Sequence, residues 1–382
     1  MRILVVAGEP SGDRALAAVV RAIARLRAVE VFGFGGDALS AASATLVAHV
    51  RDVSGLGVFE LAGRAPSIAR ALFRLSSAVN ARRPDVAILA SWSAGNARIG
   101  ARLRKMRVPV VWISPPEVWA WRQERAARLS GCADRFAVTL PFEEALWRAA
   151  GADATYVGHP ALDSSPPSRA ALRRTLGLEP DGRAIAILPG SRPAEIERLA
   201  EPFVRAMPLV LARIGPVAAR LVVAPSLPVS TRTRLQDLAR ASAIALVESP
   251  PEGAASLLPA FDAALVASGT ASLECALASV PPVVAYRLHP LTMAIARRVV
   301  KTAHIALPNV VLARAGLEPA FRERVQDEAT PDALAAALVE TLGDASMPAA
   351  CAAVRTAMLA PLGPNARRFD ERVADIVLAL GA

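Results

Sequence analysis

The chain is expected to be an α/β protein made of two doubly wound, Rossmann-like parallel sheets in tandem. Three observations predict this. Short continuous apolar runs alternate with helical segments, the alternation breaks at a Pro- and Ser-rich stretch at 160–168 and restarts, and 382 residues exceed what one compact core ordinarily holds. Strands that alternate with helices belong to parallel sheets covered on both faces.

The first strand is Ile3–Val6, and the turn Gly8–Asp13 leads from it into a helix carrying Leu16, Val19, Val20, Ile23 and Leu26 on one face. Apolar runs follow at Val31–Phe34, Val86–Leu89 and Val110–Ile113, with Ile68, Leu72, Leu75 and Val79 at helical spacing between them. A strand-like Ala154–Val157 precedes the linker, which closes a first domain over 1–165. The rhythm restarts at Ala184–Leu188 and continues through Leu221–Ala224, Ala264–Ala267 and Val283–Tyr286, giving a second domain over 166–364. A C-terminal helix within 365–382 is expected to pack back on the first domain. In such a pair the active site belongs in a cleft faced by the carboxyl ends of both sheets.

Composition narrows the function. Hydrophobic residues at 53% and charged residues at 20% exclude a disordered or collagen-like chain. No apolar stretch reaches the roughly 18 to 20 residues of a spanning helix, and the N-terminus reads as a strand rather than a signal peptide, so a cytoplasmic protein is expected. Cys132, Cys275 and Cys351 show neither disulfide nor zinc spacing and read as small buried hydrophobes. The net charge is +10, but only Lys105 and Lys301 of 44 basic residues are lysines, a compositional bias rather than a patch. With no aromatic-interleaved basic stripe or helix-turn-helix spacing, no nucleic-acid partner is expected.

Several turns carry chemistry. After Ile185–Leu188 comes Pro189-Gly190-Ser191-Arg192 and a helix start, a context in which backbone N–H groups and the helix dipole hold a phosphate while Arg192 clamps it. Equally, it is an ordinary βα turn. A second such turn, Ser268-Gly269-Thr270, has Ser268 as a plausible N-cap, with Glu274 placed to accept ribose hydroxyls. In the first domain Glu9 and Asp13 are acid/base or sugar-hydroxyl ligands, or Asp13 only caps a helix. Ser114-Pro115-Pro116-Glu117-Val118-Trp119-Ala120-Trp121-Arg122 suits stacking on a sugar ring as well as core filling. His159 follows a strand at the domain junction, and a satisfied structural histidine is the simpler reading. No Asp-x-Asp occurs, so the metal clamp used by one class of sugar-nucleotide transferases is not expected.

Together these residues resemble the lipid-A-disaccharide synthase family of GT-B glycosyltransferases. The resemblance runs along AGEPSGD at 7–13, GFGG at 33–36, SPPEVWAWR at 114–122, LPFE at 140–143, VGHP at 157–160, LPGSR at 188–192, ASGTASLE at 267–274 and KTAHIALPN at 301–309. It implies transfer from UDP-2,3-diacylglucosamine to 2,3-diacylglucosamine 1-phosphate, giving a β-1,6-linked disaccharide and UDP with inversion. It further implies no metal or other cofactor, and a peripheral position at the inner face of the cytoplasmic membrane. By resemblance Gly190, Ser191 and Arg192 hold the donor diphosphate, and Ser268, Gly269, Thr270 and Glu274 hold the UDP moiety. Asn309 and Gln326 line that pocket, Glu9, Ser11, Gly12 and Asp13 border the acceptor, and His159 sits at the hinge. Family members form dimers that exchange C-terminal elements, which concerns Val373–Leu380 here.

The chain departs from that pattern at Ser91-Trp92-Ser93-Ala94-Gly95-Asn96, where the family carries two aspartates, one proposed as general base. Glu117, a position without a carboxylate in typical members, is the candidate replacement, followed by Asp13 and Glu9. The stretch Pro319–Gln326 also lacks the acid that usually follows its Pro. The alternative is a divergent UDP-sugar-binding homologue with another acceptor, a hydrolase or epimerase activity, or no catalysis. For a membrane surface the candidate contacts are the apolar stripe Ile68, Leu72, Leu75 and Val79 flanked by Arg70, Phe73 and Arg74, which equally reads as a helix packed on its own sheet, and the group Arg297, Arg298 and Lys301, which equally faces phosphate, lipid or water.

Overall fold

The computed structural model describes residues 1–50, 60–289, 293 and 302–381. They form two compact units, Met1–Asp163 with Ala360–Ala382, and Ser164–Leu359.

The first unit is a seven-stranded parallel sheet in the order β3-β2-β1-β4-β5-β6-β7. Its strands are β1 (Arg2–Ala7), β2 (Glu30–Gly35), β3 (Thr45–His49), β4 (Val86–Ala90), β5 (Val110–Ile113), β6 (Arg135–Val138) and β7 (Ala154–Tyr156). Residues of β1, β4 and β5 are buried on both faces, as continuous apolar runs demand. On one face α1 (Pro10–Leu26) lays Leu16, Val19, Val20 and Ile23 against the sheet beside the C-terminal helix Phe369–Leu380, which adds Phe369, Val373 and Val377. Leu26, at the end of α1, is exposed. Across the sheet α3 (Glu60–Arg82), α4 (Ser93–Lys105), α5 (Arg125–Ser130) and α6 (Glu143–Ala149) cover the opposite face. The apolar stripe of α3 is turned inward: Leu75 and Val79 are buried, and Ile68 and Leu72 pack against the same core. Phe73 points outward between exposed Arg70 and Arg74, 73% exposed. Arg297, Arg298 and Lys301 lie outside the described residues.

The second unit is a six-stranded parallel sheet, β10-β9-β8-β11-β12-β13. Here β8 is Ala184–Leu188, β9 Ala218–Val223, β10 Ala245–Glu248, β11 Ala263–Ala267, β12 Pro282–Tyr286 and β13 Glu323–Val325. It is covered by α8 (Pro193–Ile214) and the helix Pro331–Gly343 on one face. The other face packs against Leu172 of α7 (Arg169–Thr175) and Cys275 of α10 (Thr270–Leu277). All three cysteines are buried.

One ion pair ties this second sheet together. The side chain of Arg173 is only 2% exposed and donates to the carbonyls of Ala260, Glu179, Pro180 and Gly182. It also meets Asp262 Oδ2 at 2.9 Å, and that oxygen accepts Ala184 N, joining α7, β8 and β11 at one point. Removing Arg173 leaves Asp262 paired with Arg169 at 2.6 Å but strips four carbonyls of their buried donor, a loss on the order of 3–5 kcal/mol. Arg173→Ala is therefore expected to lower the stability of the second unit by about that much in urea unfolding. A loss below about 1 kcal/mol, the scale of an exposed pair, would contradict this role.

Candidate functional site

In each sheet the strand order reverses once, between β1 and β4 in the first unit and between β8 and β11 in the second. At such a switch point successive connections leave on opposite faces and a crevice opens beyond the carboxyl ends of the strands, where doubly wound folds bind ligands. The turns singled out in the sequence flank these two points.

In the first unit the Gly8–Asp13 turn meets the Ser91–Asn96 turn across the β1/β4 pair. Gly8 N donates to Ala90 O at 3.3 Å, and a Cβ on Gly8 would collide with Trp92. Ser91 and Trp92 both adopt left-handed backbone, with φ of 53° and 59°, and Trp92 packs on Phe34 with ring centroids 5.6 Å apart. Asn96 Nδ2 donates to Ser91 O, leaving its buried Oδ1 without a partner among the described residues. The indole of Trp92 thus fills the space between the two turns.

The other acids of this region have specific places. Asp13 is buried and its carboxylate is engaged by backbone: Oδ1 accepts Gly36 N at 2.6 Å and Leu39 N at 3.3 Å, and Oδ2 accepts Ala38 N at 2.9 Å. It caps α2 (Asp37–Ala41), so AGEPSGD and GFGG are two halves of one contact. Glu9 is the partly exposed N-cap residue of α1 and makes no side-chain cap bond. Glu117 is exposed, and Glu143 is within its electrostatic reach.

Glu143, in the LPFE segment, was given no role from sequence. Its buried carboxyl accepts Trp119 Nε1 at 3.0 Å and Leu140 N at 3.1 Å, fastening the segment after β5 to the start of α6. Burial first, and then the negative charge of Glu117, push its pKa up to about 8. His159, in the turn after β7, is buried and accepts Ala161 N on Nδ1 at 3.2 Å, which puts its proton on Nε2. Burial and the charge of Arg14 push its pKa down to about 4, so it is neutral and a weak base near pH 7. Trp119 is core, whereas Trp121 is 41% exposed, with Arg122 Cζ and Arg125 Cζ at 5.3 and 5.2 Å from its ring.

In the second unit, pairing of β8 with β11 sets the two glycine turns side by side. Gly190 has φ of 126° and no room for a Cβ against Glu195. Glu195 was overlooked, although an acid three residues into a helix is the usual capping signal. Its Oε2 accepts Ser191 N and Arg192 N at 3.2 and 3.3 Å, and its Oε1 holds Arg192 Nη1 at 2.7 Å. The amides and guanidinium assigned to a diphosphate are thus preassembled around a carboxylate. At the neighbouring turn the N-cap of α10 is Gly269, not Ser268, with φ of 136° and open space around it. Ser268 instead donates Oγ to Ile305 O at 2.7 Å. Thr270 is exposed at the helix start, and Glu274 is partly buried one turn on.

Asn309 and Gln326 act on the backbone around this turn. Asn309 Oδ1 accepts Ala320 N and Phe321 N, and its Nδ2 donates to Phe321 O and Glu323 Oε1, so its amide has both sides engaged. Gln326 exchanges both of its bonds with the backbone of Leu288. Glu323, unremarked in the sequence, also accepts Ile305 N and Ala306 N, and it supplies the carboxylate of the 319–326 segment four residues after Pro319.

The two switch-point crevices define a class, a two-unit α/β protein of GT-B type. Solved structures agree on that fold. UDP-GlcNAc 2-epimerase of Methanocaldococcus jannaschii, in complex with UDP-GlcNAc and UDP, matches 99% of this chain and 100% of its own with TM-score 0.63 at 12% identity. The glycotransferase of kitacinnamycin matches 99% and 98% with TM-score 0.60 at 17% identity. Sequence is more specific. Residues 3–377 match the family described as lipid-A-disaccharide synthetase. Lipid-A-disaccharide synthase of Anaeromyxobacter sp. strain K is 38% identical over 99% of this chain and 97% of its own. That of Klebsiella pneumoniae is 33% identical over 100% and 98%. The chain belongs to the lipid-A-disaccharide synthase family.

The raised pKa of Glu143 has a calculable consequence for stability. The folded carboxyl holds its proton to about pH 8 while the unfolded one releases it near 4.5, so folding takes up a proton between those values. The associated stability is complete below about 4.5, falls as the pH rises to about 8, and is constant above. Glu143→Gln, uncharged throughout, is expected to gain on the wild type by a few kcal/mol across that window in urea titrations at stepped pH. Parallel wild-type and variant profiles would reject the assignment.

Proposed function

We propose that the chain joins UDP-2,3-diacylglucosamine to 2,3-diacylglucosamine 1-phosphate, forming the β-1,6-linked lipid A disaccharide 1-phosphate and releasing UDP with inversion. The observation that carries this reading is the match to lipid-A-disaccharide synthases over essentially the whole chain. In the reading, residues 166–364 take the donor and 1–165 the acceptor. The pyrophosphate lies over Gly190, Ser191 and the α8 N-terminus, with Arg192 moving from Glu195 to the β-phosphate, and over Gly269 and Thr270 at the α10 N-terminus. Glu274 accepts the ribose hydroxyls. Charge that builds on the departing UDP is met by helix dipoles and a guanidinium, without a metal.

Attack by the acceptor 6-hydroxyl on the anomeric carbon, opposite the leaving UDP, gives the inversion. A base for that hydroxyl is worth about 10² to 10⁴ in rate. Asp13 is engaged by three backbone amides and His159 is a weak buried base, so Glu117, exposed on a fixed segment, is the base in this reading. Acylated substrates place the reaction at the cytoplasmic face of the inner membrane, where Phe73 between Arg70 and Arg74 supplies an apolar point with basic flanks. No helix of the described residues is long and apolar enough to cross a membrane.

Two measurements test the reading. Incubation with both acylated sugars is expected to yield a tetraacyl disaccharide phosphate by mass spectrometry, and free sugar plus UDP, or no product, would overturn it. Arg192→Ala or Glu274→Ala is expected to weaken UDP binding by about 10-fold or more in calorimetry, the scale of a lost charge-assisted bond. Unchanged affinity would remove the donor assignment while leaving the reaction standing.

A further inference from the structure

We propose that Trp121, Arg122 and Arg125 form the subsite for the anomeric phosphate of the acceptor, the indole facing the sugar ring and both guanidiniums on the phosphate. The proposal rests on the acceptor named above and deepens it.

Placement is the first ground. The chain from Ser114 to Glu124 leaves β5 at the carboxyl edge of the first sheet, the same edge that carries the Gly8–Asp13 and Ser91–Asn96 turns. Rigidity is the second. Val118 and Trp119 are 2% and 6% exposed, Trp119 donates to Glu143, and Phe142 meets its ring edge-on at 5.3 Å. The outward side chains of this segment are therefore displayed from an anchored frame.

The third ground is the chemistry displayed. Trp121 is 41% exposed, an unusual state for an indole with two guanidiniums within 5.3 Å of its ring centre. The guanidiniums of Arg122 and Arg125 have no carboxylate or hydrogen-bond partner among the described residues, whereas those of Arg82, Arg104 and Arg135 in the same unit are each ion-paired. Two like charges on one ring repel, and an anion between them relieves that repulsion. Arg122 also holds a left-handed backbone with φ of 56°, a conformation that costs a non-glycine residue energy. Two guanidinium forks match a phosphomonoester, which offers three oxygens and nearly two negative charges. The exposed acids of the segment, Glu117 and Glu124, disfavour a wholly anionic ligand and suit a sugar that brings hydroxyls as well.

The test compares wild type, Trp121→Ala and the double variant Arg122→Gln/Arg125→Gln, with acyl substrates dispersed in detergent. Expected are a rise of about 10-fold or more in KM for the acceptor, unchanged KM for the UDP donor, and loss in the double variant of discrimination against an acceptor lacking the 1-phosphate. Partial recovery with Arg122→Lys/Arg125→Lys would identify charge as the cause. Retained discrimination in the double variant overturns the subsite. So does an unchanged acceptor KM with lost binding to phosphatidylglycerol vesicles, which assigns the arginines to lipid headgroups. Glucosamine 1-phosphate gives a readout independent of turnover: saturable change of tryptophan fluorescence in wild type, absent in Trp121→Ala. An enzyme that makes no disaccharide but shows this binding loses the proposed reaction and keeps the subsite, and wild type without the response loses the subsite.

Discussion

Parallel pairing is the constraint on which the rest of this molecule depends. When every strand of a sheet runs the same way, every βα turn opens on one edge, and the turns after neighbouring strands can part only where the strand order reverses. That happens once in each sheet, between β1 and β4 and between β8 and β11. All four turns at those points are glycine-bearing, tightly packed, or held in left-handed backbone. Main-chain amides at helix starts are among the polar atoms there, and they favour ligands that carry negative charge.

The acids of both units follow from the same geometry. Asp13, Glu195 and Glu323 each turn their oxygens onto backbone N–H groups that a helix start or a loop would otherwise leave unpaired. Asp262 does the same for Ala184 while holding Arg173. Carboxylates committed in this way stabilise the frame, because each pairs main-chain donors that would otherwise go unsatisfied. Glu195 differs from the others: what it holds, two amides and a guanidinium, is what a phosphate would also hold. In the proposed reading, donor binding there would exchange one anion for another.

Central strands were legible in the sequence because both of their faces are buried. β1, β4, β5, β8, β11 and β12 read as unbroken apolar runs, and α1 showed its inward face at regular spacing. β3, β6, β10 and β13 escaped because short or flanking strands mix in charges, as in Arg135-Phe136-Ala137-Val138 and Glu323-Arg324-Val325. Of the candidate site, the two glycine turns of the second unit were legible from local signals. Capping by Asp13 was legible as one alternative, but the helix it caps was not, since its partners lie 23 to 26 residues downstream. Glu143 and Glu323 acquire their roles only from tertiary neighbours, and Ser268 yielded its expected cap to Gly269 because Ile305 O lies within its reach.

The absence of an acidic pair after β4 concentrates the question of proton transfer on the segment after β5. Trp92 fills the space beside Gly8 and Gly95, so a carboxylate from the neighbouring turn has no room there. Glu117 stands on a segment whose inner side is gripped by Glu143, and the two carboxyls interact. Near neutral pH Glu143 keeps its proton and places no negative charge beside Glu117. Above about pH 8 it ionises inside the protein, and a buried negative charge then sits at the anchor of the segment that carries Glu117. In the proposed reaction, the residue that anchors the segment of Glu117 is therefore also the buried acid within its electrostatic reach.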